Sequence, residues 1–345
     1  MLVERVEAKW IDVFREVFDL CRVATGDEVV ILSESQSRQI NVQLSELALL
    51  ALGAKVFHLV LPTPELISSV PIRSTGSSDV LRDRTPIVTA LAGTSLVVDL
   101  TVEGLLHAPQ LPNILEQGAR VLTISNEHPE ALERLRPEES LRSQVQNAVR
   151  KIKAAKTMSV ASEAGTQLTI DLENCPVAVV WGWTDRPGTI AHWPGGVVVA
   201  FPRRHSVSGH LVLDIGDINL TFKRYLESPV TLVIEDDYVT AVEGSGVDAI
   251  LMRNYYEAWS DPEAYGVSHV GWGLNRKARY EALTVYDRND TNGTELRTLA
   301  GSFLFSTGAN EHAERFSLGH FDLPMLGCTI KLDNEVVVAQ GKLLG

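Results

Sequence analysis

The stretch DEVVILSESQSRQINVQLSELALLALGAKVFHLVLP, residues 27–62, decides the fold of the N-terminal half. It begins and ends with continuous apolar runs rich in β-branched residues, and between them apolar residues recur at helical spacing up to Gly53. A strand, helix and strand of this kind are typical of a parallel sheet that is covered on both faces. The pattern continues through VLRDRTPIVTALAG, SLVVDLT, PQLPNILEQGA and RVLTIS. Residues 1–150 are therefore predicted to form a doubly wound α/β domain.

This first domain lacks the motifs of nucleotide-binding sheets. Its first strand is not followed by GxGxxG, and it has no Walker A loop. The layout therefore gives no reason to expect a dinucleotide or a nucleoside triphosphate.

The pattern changes from about Lys151. Alternating apolar and polar residues, punctuated by Gly, Asp and Asn, predict strands in MSVASEAGTQLTIDLE, GGVVVAFP, GHLVLDIGDINL and VTLVIEDDYVTAVEG. VDAILMRNYYEAWS predicts a helix, and CTIKLDNEVVVAQGKLL predicts a hairpin that turns at Asp333 and Asn334. Residues 151–345 are predicted to form a mostly antiparallel α+β domain that binds a metal, and the charged helix at 128–156 is predicted to connect the two domains.

Composition narrows the classes of function. The formal net charge of -13, without a basic patch, argues against nucleic-acid and anionic-membrane partners. Three widely spaced cysteines, the absence of a signal peptide and the absence of a long apolar span favour a reducing, cytoplasmic location. A small-molecule ligand is the expectation that remains.

Two ionisable residues interrupt the apolar run GHFDLPMLGC, residues 319–328. His320 and Asp322 are two positions apart, so in a strand both side chains lie on one face. His269 stands in a second strand-like run, YGVSHVGWGLN, whose glycines allow close approach. Two imidazoles and one carboxylate form the ligand set that suits non-haem Fe(II). The alternatives are a hydrogen bond at a strand end for His320 and Asp322, and a core histidine for His269.

Three further segments offer groups for a substrate. WGWTDRPGTIAHWPGG, residues 181–196, could line a flat aromatic pocket with His192 as acid or base, or it could be an apolar staple under a loop. His107 follows the strand SLVVDLT at the edge where α/β sheets place ligands, or it is a surface histidine. Ser306 ends a predicted strand and could donate a hydrogen bond to a substrate oxygen.

The order and spacing of five motifs resemble the 2,5-dihydroxypyridine 5,6-dioxygenases, which share their fold with the aminopeptidase T (M29) metallopeptidases. The resemblance spans most of the chain and is strongest from about residue 175 to 325. The motifs that carry it are WGWTDRPGTIAHWPGG, YGVSHVGWGLN, DRND, SFLFSTG and HFDLP.

The resemblance implies roles for eight positions of this sequence. It implies that His269, His320 and Asp322 bind the iron. It implies that His107 and His192 face the substrate, one of them as the catalytic base, and the remaining pocket residues it implies are Ser306, Trp193 and Val180. At Val180 the family is expected to carry a glutamate, so the change bears on the identity of the substrate.

The implied activity is Fe(II)-dependent ring cleavage. The substrates would be O2 and 2,5-dihydroxypyridine or a related hydroxylated N-heterocycle, the product would be of the N-formylmaleamate type, and the enzyme would be a homo-oligomer. The rival interpretation is an M29-like aminopeptidase, but its two-metal centre needs several carboxylates, and His269 stands where a glutamate is expected. A non-catalytic small-molecule binding protein is the third interpretation.

Overall fold

The computed structural model describes residues 5–65, 68–69, 78–124, 126–288 and 291–344, so Asn289 and Asp290 of the DRND motif lie outside the described residues. The helices are α1 (Ala8–Leu20), α2 (Gln39–Ala51), α3 (Thr85–Ala92), α4 (Leu111–Glu116), α5 (Pro129–Arg134), α6 (Glu139–Ala154), α7 (Val247–Trp259), α8 (Ala282–Val285) and α9 (Thr294–Arg297). Within the described ranges, none of these helices is long and apolar enough to cross a membrane.

The strands divide between the two halves of the chain. The first ten are β1 (Glu28–Glu34), β2 (Lys55–Leu61), β3 (Leu96–Leu100), β4 (Arg120–Ile124), β5 (Thr157–Ala161), β6 (Gln167–Asp171), β7 (Val177–Val180), β8 (Ile190–Trp193), β9 (Val197–Ala200) and β10 (Val207–Leu213). The others are β11 (Ile218–Asn219), β12 (Arg224–Tyr225), β13 (Val230–Glu235), β14 (Tyr238–Glu243), β15 (Val267–Gly273), β16 (Phe303–Asn310), β17 (Arg315–Met325), β18 (Thr329–Leu332), β19 (Glu335–Ala339) and β20 (Lys342–Leu343).

The N-terminal sheet is parallel and runs in the order β2, β1, β3, β4, β8. Alternate residues of its central strands enter two separate apolar clusters, one shared with α1 and α2 and the other with α3 and α4. Both faces are therefore covered by helices, as the continuous apolar strands predicted. The order of the first four strands is that of doubly wound sheets, which bind ligands beyond the carboxyl ends of their strands.

One strand of this sheet was not predicted. β8 lies in the segment that the sequence suggested was a loop, and it pairs in parallel with β4, so that His192 lies beside Thr123. Residues beyond 150 thus complete the first sheet, and the division of the chain at that residue stays a prediction.

The second half contains the antiparallel sheets that were predicted. The larger sheet runs β14, β13, β10, β6, β5, β18, β19, β20, and the hairpin turn at Asp333 and Asn334 lies between β18 and β19. A five-stranded sheet runs β17, β16, β15, β9, β7. The single charged helix predicted at 128–156 is instead two helices, α5 and α6, because Pro137 disfavours helical backbone in the residue before it.

Two buried carboxylates fasten the segment around α9 to the N-terminal half. Glu127, just beyond β4, accepts hydrogen bonds from the Thr291 hydroxyl at 2.6 Å and the Thr294 amide at 2.6 Å. Arg134 of α5 makes a two-pronged contact with Glu295, at 2.7 and 3.0 Å. The Glu295 side chain is fully buried, so its charge depends on this partner.

Arg134→Ala should lower the free energy of unfolding by about 3–5 kcal/mol, because it leaves the buried Glu295 carboxylate without its cation. The neighbouring Arg136 pairs with Glu16 at the surface, so Arg136→Ala is the matched control and should cost less than about 1 kcal/mol. Urea unfolding of the three proteins measures the difference. Equal losses of unfolding free energy in the two variants would contradict a stabilising role for the contact between Arg134 and Glu295.

Candidate metal centre and its cavity

Three strands of the five-stranded sheet position the predicted ligands. His269 lies in β15, and both His320 and Asp322 lie in β17, two strands away. The intervening β16 places Gly308 opposite His320 and Ser306 opposite Asp322. All three predicted ligands are buried, with 5%, 2% and 3% of their surface exposed.

His107 joins this group from the other sheet. It follows β3 of the N-terminal sheet, and its ring lies 4.7 Å from that of His320 and 6.1 Å from that of His269, centroid to centroid. One ring nitrogen from each of these three histidines falls within 4.8 Å of the others. Two parts of the chain that are distant in sequence therefore meet at one cluster of imidazoles.

The Asp322 carboxylate completes the cluster. Its Oδ1 is 3.3 Å from His320 Nε2 and 4.0 Å from His269 Nε2. Its Oδ2 accepts a hydrogen bond of 2.5 Å from Arg297 Nε, and the Ser306 hydroxyl donates to Oδ1. Burial alone would raise the pKa of Asp322, but the Arg297 charge and the nearby histidines hold that pKa well below its usual range. Asp322 is thus a fixed anion.

His269 and His320 are held in the neutral form that binds metals. Burial lowers the pKa of His320 and takes that of His269 well below its usual range, although Asp322 opposes both shifts. The Nδ1 atoms of His269 and His320 are buried without a hydrogen-bond partner among the described residues. Neutral imidazoles beside one anionic carboxylate suit a divalent transition-metal ion. The residues present therefore fit a metal.

A cavity of about 90 Å³ adjoins the cluster. One wall is apolar, formed by residues such as Val180, Val199 and Leu304, and His192 extends into it from β8. The polar residues that line the cavity, other than the predicted ligands and His192, are Glu103, Thr123, Asn292, Thr294, Arg297 and Thr298. Mostly apolar walls with a few polar groups are typical of sites for small organic ligands.

Only some of the residues predicted to contact the substrate line the cavity. Val180 and His192 line the cavity. Ser306 directs its hydroxyl at Asp322 and does not appear among the cavity's described walls. Trp193 was predicted to contact the substrate, but it does not line the cavity, because alternation along β8 turns its side chain to the face opposite His192. Its indole N–H donates to the Leu135 carbonyl at 3.0 Å, and its ring packs in the main core.

Two charged residues at the site were missed by the sequence analysis. Arg297 belongs to no recognisable motif and lies 25 residues before Asp322, so only the fold brings the two together. Glu311 lies 3.3 Å from His107 Nδ1. Burial would raise the pKa of Glu311, but its hydrogen bond with His107 lowers it, so this carboxylate is charged beside the histidine.

Comparisons with known proteins point to one family. A family model described as 2,5-dihydroxypyridine 5,6-dioxygenase matches residues 9–345. The 2,5-dihydroxypyridine 5,6-dioxygenase of Pseudomonas putida strain KT2440 is 35% identical over 342 residues, which are 98% of this chain and 96% of that protein. A solved structure of the 2,5-dihydroxypyridine dioxygenase from Pseudomonas putida KT2440 superposes with a TM-score of 0.93 at 35% identity, covering 99% of each chain.

A more distant likeness concerns the fold alone. AmpT from Thermus thermophilus superposes with a TM-score of 0.64 at 13% identity, over 98% of this chain and 99% of that chain. AmpT and the present chain thus share a fold that combines a parallel sheet with antiparallel sheets.

The buried imidazole of His192 should make stability depend on pH. Burial, followed by the charge of Arg297, lowers its pKa from 6.5 to about 4. Between these values the unfolded chain binds a proton at His192 and the folded chain does not, so the free energy of unfolding rises with pH. His192→Gln should flatten this rise between pH 4.5 and 6.5 relative to the wild type. Urea unfolding of the metal-free proteins at several pH values tests this, and identical slopes would contradict it.

Proposed function

The chain belongs to the 2,5-dihydroxypyridine 5,6-dioxygenase family, and from this premise we propose that it is a mononuclear Fe(II) enzyme that opens the ring of 2,5-dihydroxypyridine or a close hydroxylated N-heterocycle. The observation that carries the proposal is the buried group of two neutral histidines and one anionic carboxylate beside a mostly apolar cavity. Both atoms of O2 would enter the product, which for 2,5-dihydroxypyridine is N-formylmaleamate.

We propose His269, His320 and Asp322 as the ligands of the ion. Two contacts support this choice over a set of three histidines. Asp322 Oδ1 lies close to the Nε2 atoms of both histidines, and Arg297 occupies Oδ2, which favours binding through one oxygen. These three residues would hold the ion, and a set of two histidines and one carboxylate would leave coordination positions open for substrate and O2.

His107 and His192 are the two candidates for the base that accepts the substrate's hydroxyl proton. An ionised ring is richer in electrons and reacts more readily with O2, and an imidazole suits this proton transfer near neutral pH. His107 can pass the proton towards Glu311, whose side chain is one-third exposed. His192 remains neutral because of its low pKa and can accept a hydrogen bond from the ring.

The walls of the cavity orient the ring. The apolar side chains Val180, Val199 and Leu304 exclude water, while Arg297 offers a positive charge to a ring oxygen. Fe(II), when bound, supplies a route around the spin barrier that makes O2 unreactive towards closed-shell organic molecules. At Val180 this chain offers no carboxylate to the ring, so the substrate's substituents on that side are expected to be apolar or absent.

An aminopeptidase has less support. The likeness to AmpT is at 13% identity and shows the fold only. A two-metal centre needs several carboxylates as ligands. Among the described residues, the group of side chains close enough to hold a metal ion consists of His107, His269 and His320, and the adjacent Asp322 carboxylate already holds Arg297.

Metal content tests the ligand assignment. His320→Ala and Asp322→Ala should each reduce bound iron by at least tenfold, because each removes one of three ligands. His107→Ala and His192→Ala are matched controls from the same site, and they should retain iron while losing turnover. Iron is measured after anaerobic loading and desalting. If His107→Ala lost iron as completely as His320→Ala, a three-histidine set would replace this assignment.

Oxygen uptake tests the reaction itself. Fe(II)-loaded protein given 2,5-dihydroxypyridine should consume one O2 per ring while the substrate's ultraviolet band disappears. The same assay with 2-hydroxypyridine, which lacks the 5-hydroxyl group, should show no uptake, because the ring then has no 5-hydroxyl proton for the base to remove and is poorer in electrons at C5. Absence of uptake with iron bound would exclude 2,5-dihydroxypyridine as the substrate.

A further inference from the structure

A second cavity lies on the other side of His107. Its volume is about 350 Å³, compared with about 90 Å³ for the cavity at the ligands. His107 lines this outer cavity, together with Gln110 from the N-terminal half and Trp259 at the end of α7. The site described above uses none of the other residues in its walls.

Both cavities are lined by residues of β17. Phe316 and Leu318 precede His320 by four and two residues in this strand, across a register shift between Arg315 and His320. Phe316 is 61% exposed, Leu318 is half-buried and His320 is 2% exposed. Phe316 and Leu318 line the outer cavity, whereas His320 lines the inner one. Four residues of strand span about 13 Å, so a ring-sized molecule in the outer cavity is close to the ligands.

His107 lies between the outer cavity and two histidines that line the inner one. Its ring is stacked with that of His269 and tilted against that of His320, both of which line the inner cavity. His107 thus contacts two residues of the inner cavity while it lines the outer one.

The walls of the outer cavity indicate what it binds. Trp259 and Phe316 supply aromatic surfaces for a flat molecule. Gln110 Oε1 is buried without a hydrogen-bond partner among the described residues, and it needs a donor such as a ring O–H or N–H. The charged residues in the walls are already satisfied: Arg82 pairs with Asp79 at 2.7 Å, and Asp261 accepts from Ser317 at 2.6 Å. A neutral planar heterocycle that carries a donor fits these walls better than an ion.

We propose that the outer cavity is a second binding site for a hydroxylated N-heterocycle, held against Trp259 and Phe316 and donating a hydrogen bond to Gln110, before it passes His107 to the ligands. The choice of a hydroxylated N-heterocycle as the ligand rests on the proposed function. The location of the cavity is independent of that function.

Binding without turnover tests this site. Fe(II)-loaded protein titrated anaerobically with 2,5-dihydroxypyridine should bind two molecules per chain in calorimetry. Gln110→Met keeps the side-chain length but removes the acceptor, so it should weaken one of the two affinities about three- to tenfold. Gln117→Met makes the same change on an exposed glutamine and is the control. Binding of a single molecule, with an affinity that Gln110→Met leaves unchanged, would overturn the proposal.

Kinetics test the passage to the ligands. Phe316→Ala should lower kcat/KM at least threefold and leave kcat and iron content unchanged, because it weakens only the first encounter. Ile215→Ala, at another exposed apolar residue, is the control and should change neither constant. An unchanged kcat/KM in Phe316→Ala would contradict a route through this cavity. Failure of the proposed function appears differently, as absent oxygen uptake in the wild type.

Discussion

The buried ion pair between Asp322 and Arg297 is the constraint on which the site depends. His269 and His320, which burial keeps neutral, cannot by themselves balance a divalent ion, so the anion beside them must keep its charge away from water. Arg297 ensures this at 2.5 Å, and its own position is fixed because Glu127 and Arg134 tie the α9 segment to the N-terminal half. Thr294, Glu295 and Arg297 all belong to α9, so this helix links the contacts with Glu127 and Arg134 to the ion pair with Asp322. Contact between the two halves of the chain therefore positions the cation that keeps Asp322 charged.

Local periodicity was sufficient to predict part of this arrangement. The two-residue repeat of a strand placed His320 and Asp322 on one face, and continuous apolar runs separated the parallel sheet from the antiparallel ones. Arg297 and Glu311 could not be predicted in this way. Each acquires its role from a partner 25 or 204 residues away, and no sequence spacing records such a contact.

The segment around β8 shows why composition misleads. Its tryptophans suggested a ring-binding loop, yet four residues of it form a strand whose alternation sends His192 to the cavity and Trp193 to the core. A strand this short leaves almost no periodic signal, and its pairing with β4 depends on tertiary contacts. The three tryptophans of this segment pack in the main apolar core, which agrees with the alternative of an apolar staple.

The geometry of β17 limits how this family of sites can diverge. The regular part of this strand, residues 320–325, carries His320 and Asp322 on a single face. Insertion or deletion of one residue between His320 and Asp322 would turn one of these two proposed ligands away from the other and put a core residue such as Phe321 in its place. Val180, by contrast, lies on β7 at the opposite edge of the same sheet, where replacement alters the cavity wall without shifting the strand register of the ligands. The cavity wall can therefore change by point substitution at that edge, whereas the spacing of His320 and Asp322 at the other edge cannot change in length without separating the two side chains.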